Sequence, residues 1–235
     1  MIDNYKPIVI AVEETFYGGD FVVWIAGYNG IRKQGHFNER FHGGVAMYIH
    51  NSMPYWEIHI KTNHQIIAAQ VNVSQYEIIT CVSAYIPGST NFNDELGRIL
   101  HELPQLIIII CDLNAHHTNW GNRLTDRRGR QLQELSTSHQ LNIVNENIPT
   151  HVSGTSIDMT IVSPDLSPDI TWTVAPSVLS SDHFSIIILF NIVHPAVKLS
   201  EEGWNYRNGK WEEYGRDKVW SHLNDELPDD SHSIL

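Results

Sequence analysis

Basic residues are scarce in this sequence: 15 Lys and Arg stand against 27 Asp and Glu, a formal net charge of −12 over 235 residues. Such a balance excludes tight nucleic-acid binding held by phosphate contacts alone, since each contact needs a cation to replace the released counterions. It stays compatible with an acidic pocket that takes up a divalent metal before it accepts a phosphate. Cysteine is scarcer still. Cys81 and Cys111 each sit inside an apolar, β-branched run with no zinc-ligand spacing, so two buried, reduced thiols of an intracellular protein are expected rather than a disulfide or metal site. Long apolar runs are also missing. The longest, Leu106 to Cys111, stops at Asp112, short of the roughly 20 residues a membrane-spanning helix needs; no membrane partner is expected. The opening MIDNYKPIVIAVEET has no basic region ahead of a signal-length apolar stretch. Only 18% of residues are charged, while 42% are hydrophobic and 10% aromatic, which points to a globular core rather than widespread disorder.

What is present is a succession of short β-branched runs ending in polar or Gly/Pro punctuation. Ile8–Val12, Phe21–Ile25, Gly44–Ile49, Gln65–Val73, Ile78–Ala84, Leu106–Cys111, Met159–Val162, Ile170–Val174 and Phe184–Phe190 read as strands. Leu141–Val144 is a shorter strand-like stretch. Helical spacing occurs over Asn93–Glu102, where Leu96, Ile99, Leu100 and the following Leu103 share a face, and over Asp126–His139, through Leu132 and Leu135. Many strands and few helices imply an α+β fold, a two-layer β-sandwich flanked by helices. From His194 the sequence turns charged and Trp-rich, with Trp204, Trp211 and Trp220 among acidic pairs. Residues 1–193 therefore read as one domain and 194–235 as a linker or the start of another region.

Five runs carry polar groups at their ends. The buried run before Asp112 empties into Asp112 and Asn114, which point the same way from an extended chain and together suit a phosphate-bound water or a metal; a turn-forming Asp-x-Asn would look alike. Asp182 and His183 stand at the entrance of the run Phe184–Phe190, where a histidine beside a carboxylate serves as base or phosphate binder. Asp158 lies in an apolar segment, where a carboxylate needs a partner; His183 is the natural one, since an Asp–His pair fixes the imidazole tautomer. Ile8–Val12 ends in Glu13 and Glu14, whose oxygens suit Mg²⁺, and Tyr85 closes another run before Pro87-Gly88. Arg123, Arg127, Arg128 and Arg130 crowd one stretch, either as a solvated loop or as phosphate contacts. His116 and His117 are adjacent, so a regular strand does not turn both to one metal.

The order E, Y, D-x-N, D, DH along successive strands resembles the exonuclease–endonuclease–phosphatase superfamily. Closer still, GGVAMYIHNSMP (43–54), DLNAHHTNWG (112–121), GRQLQEL (129–135), NENIPTHVSGTSIDMTIVSPDL (145–166) and SDHFSI (181–186) resemble the apurinic-like endonuclease domain of jockey-like non-LTR retrotransposon proteins. WNYRNGKWEEY (204–214) looks like the stretch such polyproteins carry before the reverse transcriptase. The resemblance implies a deoxyribonuclease-like four-layer α/β/β/α fold and a Mg²⁺ (or Mn²⁺) endonuclease that nicks DNA, joined to a reverse transcriptase and acting inside the cell, at the nucleus. Position by position it implies Glu14 and Asp182 as metal residues, with Asp112, Asn114, Asp158, His183 and Tyr85 as catalytic residues; Arg123, Arg127 and Arg128 are the basic residues assigned to substrate. Asp112 or His183 serves as base. Three departures stand out. The family's first strand and its Asn have no counterpart here, Cys111 and Leu113 replace Gly and Phe, and the sequence ends before any polymerase, as a fragment would; in addition, Glu13 stands where Gln is commoner. Two other readings compete: a phosphatase of the same superfamily, and a catalytically inactive truncated domain that only binds nucleic acid.

Overall fold

The computed structural model describes residues 5–18, 23–37, 40–74, 77–88, 90, 94–178 and 181–191. The expected tail from 194 onward and positions 21 and 22 of the expected run Phe21–Ile25 lie outside the described residues; Val23 to Ile25 are not strand. Strands β1 (Val9–Glu13) and β2 (Tyr28–Lys33) precede a short ladder of β3 (His36–Phe37) with β4 (Arg40–Phe41), then β5 (Val45–His50). The apolar β5 pairs antiparallel with β1 on one side and β2 on the other, giving the order β1-β5-β2.

The larger sheet is built from β6 (Tyr55–Ile58), β7 (Gln65–Ser74), β8 (Glu77–Tyr85), β9 (Ile107–Asp112), β10 (Asn142–Ile143) and β11 (Asp158–Val162), in the order β10-β11-β9-β8-β7-β6. All its pairs are antiparallel except β8 with β9. That parallel pair needs a crossover, supplied by the helix α1 (Asp94–Glu102). A second helix, α2 (Arg127–Ser138), follows β9, and β12 (Ile170–Val178) pairs with β13 (Phe184–Phe190).

Period-two alternation divides the large sheet's side chains between two cores. Ile66, Ala68, Val82, Ala84, Ile107 and Ile109 face Leu96, Ile99 and Leu100 of α1 and Leu132 of α2. Their neighbours Ile67, Ala69, Val71, Ile79, Cys81 and Ile108 face Val45, Met47 and Ile49 of β5, with Val9, Ile170 and Phe190 packed against them. The result is the expected α+β sandwich. Among the described residues both helices cover the same sheet, while the outward face of β5 is covered by Tyr17, Val23 and Ile25. Leu132 is fully buried, so trimming it to Ala costs about 2–5 kcal/mol. Cys81 and Cys111 belong to opposite faces and are both free thiols. Among the described residues, no helix is long and apolar enough to cross a membrane.

The connections are as particular as the cores. Asp126 caps α2, accepting from the Gly129 N–H at 2.6 Å and bonding the His116 ring at 2.9 Å. A methyl group on Gly129 would fall 1.9 Å from the His116 carbonyl oxygen, so only glycine allows the helix to lie so close to the chain leaving β9. His117 accepts from the Asn119 N–H and stacks on Trp120, 4.9 Å between centroids. The adjacent histidines therefore serve the loop between β9 and α2.

Candidate active site

Register brings four polar side chains into one row across the large sheet. Gln65 of β7 is paired with Tyr85 of β8, Tyr85 with Asp112 of β9, and Asp112 with Asp158 of β11. Each closes or opens its strand, so the row marks the rim where the core ends and a cleft begins. Asp112 is almost wholly buried. Burial, then the neighbouring Asp158, push its carboxyl up to about 7, and its Oδ1 accepts from the Asn114 N–H at 3.0 Å. Asn114 has φ +49°, the left-handed conformation that asparagine tolerates better than most residues.

The facing sheet contributes Glu13 and Glu14. Glu13 points inward and accepts from Ser83 Oγ at 2.7 Å. Alternation would turn the next residue away, but Glu14 adopts φ +51°. This residue breaks the strand, and its carboxylate accepts from the Tyr85 hydroxyl. Ser83 and Tyr85 share one face of β8, so two consecutive acids reach the same surface. Burial and then Glu14 raise the Tyr85 pKa, keeping the phenol protonated as that donor. Burial also raises Glu13 to about 8, with Asp158 and Asp112 adding to it against the Ser83 bond. Gly43 (φ +69°) makes room for the Tyr85 ring, since a Cβ there would lie 2.5 Å from it.

His183, just ahead of β13, donates from Nδ1 to Asp158 at 2.9 and 3.0 Å to the two carboxylate oxygens. That bond raises the imidazole to about 9 against partial burial and leaves Nε2 facing the cleft. One ligand atom each from Glu14, Asp112 and His183 lie within 4.8 Å of one another. Supporting residues hold Asp158. The Thr150 hydroxyl accepts from the Ile157 and Asp158 N–H groups, and Asn145 spans the Asp158 carbonyl and the Thr160 N–H. Thr150 also accepts from the Phe184 N–H, and Val152 donates to the Asp182 carbonyl, tying this turn to the start of β13.

The structure thus brings Glu14, Tyr85, Asp112, Asn114, Asp158 and His183 to one rim. Asp182 stands apart from Glu14, meeting His151 Nε2 at 3.4 Å instead; a backbone hydrogen bond and then His151 hold its carboxyl below the usual range. Of the arginines expected to meet substrate, Arg123 and Arg127 are exposed. Arg128 turns inward, donating to the carbonyls of Ile86, Thr90 and Leu113. Its cation therefore clamps the chain just beyond Tyr85 and Asp112, because half-buried carbonyls at two strand ends need donors. Sequence reasoning missed Gln65, Asn145, Thr150 and His151. The first three act through backbone groups, and the THVSGTSID string offered the one visible signal, a hydroxyl ahead of a buried acid.

A two-sheet sandwich of this kind defines the class by its architecture: it is the deoxyribonuclease-like fold, and here its rim carries acids, a tyrosine and an Asp–His pair. Within that class, residues 79–187 match the family described as Endonuclease-reverse transcriptase. Three solved structures share the fold. The endonuclease domain of TRAS1, a telomere-specific non-LTR retrotransposon, matches with a TM-score of 0.68 and 22% identity, over 81% of this chain and 88% of that one. An AP endonuclease from Archaeoglobus fulgidus matches at 0.60 and 14% identity, over 81% and 91%. The 3′ phosphatase NExo from Neisseria, bound to a product DNA hairpin, matches at 0.58 and 13%, over 80% and 91%. No curated protein matches the chain. At these identities the likeness carries the fold.

Proposed function

We propose that this domain is a divalent-metal-dependent endonuclease that nicks DNA within a non-LTR retrotransposon protein, joined there to a reverse transcriptase and acting at nuclear DNA. The observation that carries this reading is the convergence of Glu14, Asp112 and the Asp158-held His183 within 4.8 Å. Two carboxylates from separate sheets form a hard, oxygen-rich donor set of the kind Mg²⁺ or Mn²⁺ takes, with water completing the shell. The raised pKa of Asp112 reflects negative charge crowded at low dielectric, which a cation would relieve. Bound by Glu14 and Asp112, the metal would neutralise charge on the phosphate and on the departing oxygen.

The chain's own groups divide the remaining work. Asp112, at about 7, is poised near neutral pH to align and accept a proton from the attacking water. His183, at about 9, is a cation at that pH. It therefore donates from Nε2 to a phosphate oxygen, while Asp158 holds the ring. This assigns the base to Asp112. Tyr85 keeps Glu14 turned toward the cleft, and the Asn114 turn holds the Asp112 carboxylate.

Plasmid nicking by the full chain tests the reading. Relaxed circles are expected with Mg²⁺, none with EDTA, and none from Asp112→Ala or His183→Ala proteins that melt like the parent. Release of inorganic phosphate from 3′-phosphorylated ends without nicking would move the domain to the phosphatases. Silence from the folded chain on both substrates would leave a domain that binds without catalysis.

A further inference from the structure

His151 sits on the turn that reaches β13, outside the set just assigned to the reaction. Its Nε2 lies 3.4 Å from Asp182 Oδ2, and the other oxygen of that carboxylate lies 4.0 Å from His183 Nε2. The His151 and His183 rings meet edge to face at 4.8 Å, and their backbones form an isolated antiparallel bridge. One carboxylate is thus set between two imidazole nitrogens, and the three ligand atoms fall within 4.8 Å of one another. We propose that His151, Asp182 and His183 form a site for a transition-metal cation of the Zn²⁺ class, separate from the Glu14–Asp112 pair and sharing with it the single atom His183 Nε2.

Geometry and ligand chemistry both point there. Tetrahedral zinc with bonds near 2.0–2.2 Å sets its ligand atoms about 3.3–3.5 Å apart. The His151–Asp182 edge already has that length, and Asp182 is exposed enough to rotate and close the other. Two nitrogens with one oxygen suit zinc and discriminate against magnesium, which demands oxygen. Each ring has an outer partner of the kind that fixes metal-bound imidazoles. His183 Nδ1 is held by Asp158, and His151 Nδ1 lies 2.7 Å from Ser153 Oγ. The Ser153 N–H also points at His151 Nδ1, at 3.1 Å, so without metal the ring proton sits on Nε2 and faces Asp182. Metal binding moves that proton to Nδ1, where Ser153 Oγ accepts it. The Ser153 N–H, on an exposed turn, then turns to water. Any proton on His183 Nε2 leaves to solvent.

Sharing one nitrogen makes the two sites antagonists. Zinc drawn to His151 and Asp182 takes His183 Nε2 away from the phosphate, so zinc inhibits magnesium-driven nicking; this second consequence rests on the nuclease reading, whereas binding does not. The test begins with Zn²⁺ alone, titrated into the full chain against a chromophoric chelator at pH 7.5, with and without millimolar Mg²⁺. A zinc ion that magnesium does not displace is expected, with affinity falling at least about tenfold in His151→Phe, which keeps a ring against His183, and in the more exposed Asp182→Asn. The ratio of nicking rates with and without zinc should shift by the same factor. Undiminished zinc binding in both variants, with parental melting curves, overturns the site, as does its displacement by magnesium. If the chain never nicks, that failure belongs to the nuclease reading and the binding titration still decides this one.

Discussion

Replacing Glu13 with Gln should stabilise the protein, and the gain should appear only as pH rises. Glu13 lies at the end of β1 with its carboxyl enclosed against Ser83 and near Asp158 and Asp112, which together with burial hold its pKa at about 8 against an ordinary 4.5. Below pH 4.5 the group is protonated in both folded and unfolded chains and contributes no pH dependence. Between 4.5 and about 8 the unfolded chain releases a proton that the folded one keeps, so the folded state binds more protons and stability falls as pH rises. At about 1.4 kcal/mol per pH unit, that interval sets a ceiling near 5 kcal/mol. Solvent reaching the partly exposed residue and a protein dielectric closer to 20 bring the figure to about 2 kcal/mol. Gln accepts the same Ser83 hydrogen bond without ionising. For a domain of this size each kcal/mol moves Tm by about 2–4 °C, so Glu13→Gln should melt about 4–8 °C above the parent at pH 8.5 and within a degree or two of it at pH 4.5. Calorimetry in EDTA is the assay, because a bound cation would itself relieve the charge. An offset that is constant across pH, or that favours the parent at pH 8.5, refutes the reasoning.

Nicking should follow a bell-shaped pH profile, rising through about 7 as Asp112 ionises and falling near 9 as His183 loses its proton. Raising Mg²⁺ should move the rising limb to lower pH, since cation and proton compete for Asp112. Arg128→Ala should cost about 3 kcal/mol by stranding the Ile86 and Leu113 carbonyls, while leaving the salt dependence of DNA binding unchanged. Arg123→Ala and Arg127→Ala should do the reverse, weakening binding and flattening its salt dependence without moving Tm. Gly43→Ala should destabilise by roughly 1–3 kcal/mol, because the methyl meets the Tyr85 ring and the residue keeps φ +69°. Far-UV melting checks it.

The rim was legible where an apolar run stopped abruptly at an acid, as at Asp112, because burial on both faces leaves no place for a carboxylate except the strand's end. Asp158 was legible for the same reason, and its pairing with His183 followed from the cost of leaving it alone. The strands β2 and β6 were not expected. Tyr28–Lys33 carries Gly30 and ends in the two basic residues Arg32 and Lys33, and Tyr55–Ile58 is too short to show alternation. Val23–Ile25 read as strand from composition, but Val23 and Ile25 pack on the outside of β5 as irregular chain while Trp24 is exposed. The turn of Glu14 into the cleft depends on a left-handed backbone at a residue that carries no mark of it. Arg128 looked like its neighbours in the basic cluster, and only the helix's orientation tells which arginine faces inward. Gln65 gives no local signal, since its partner Tyr85 is a strand away.

The row Gln65–Tyr85–Asp112–Asp158 also has a bearing on how the protein comes to be active. Gln65 and Tyr85 meet at the open end of the β7–β8 hairpin, but Tyr85 meets Asp112 through a parallel pair and Asp112 meets Asp158 across two strands far apart in sequence, so no local segment brings both aspartates to Tyr85 during synthesis or early collapse. A slip of one residue in any of these strands would turn its polar group into the opposite core. Contacts of such long range close late in folding. A chain that has reached the correct register throughout is thus also one with its cleft assembled, and partly folded chains, which expose their charges singly, should be harmless to DNA.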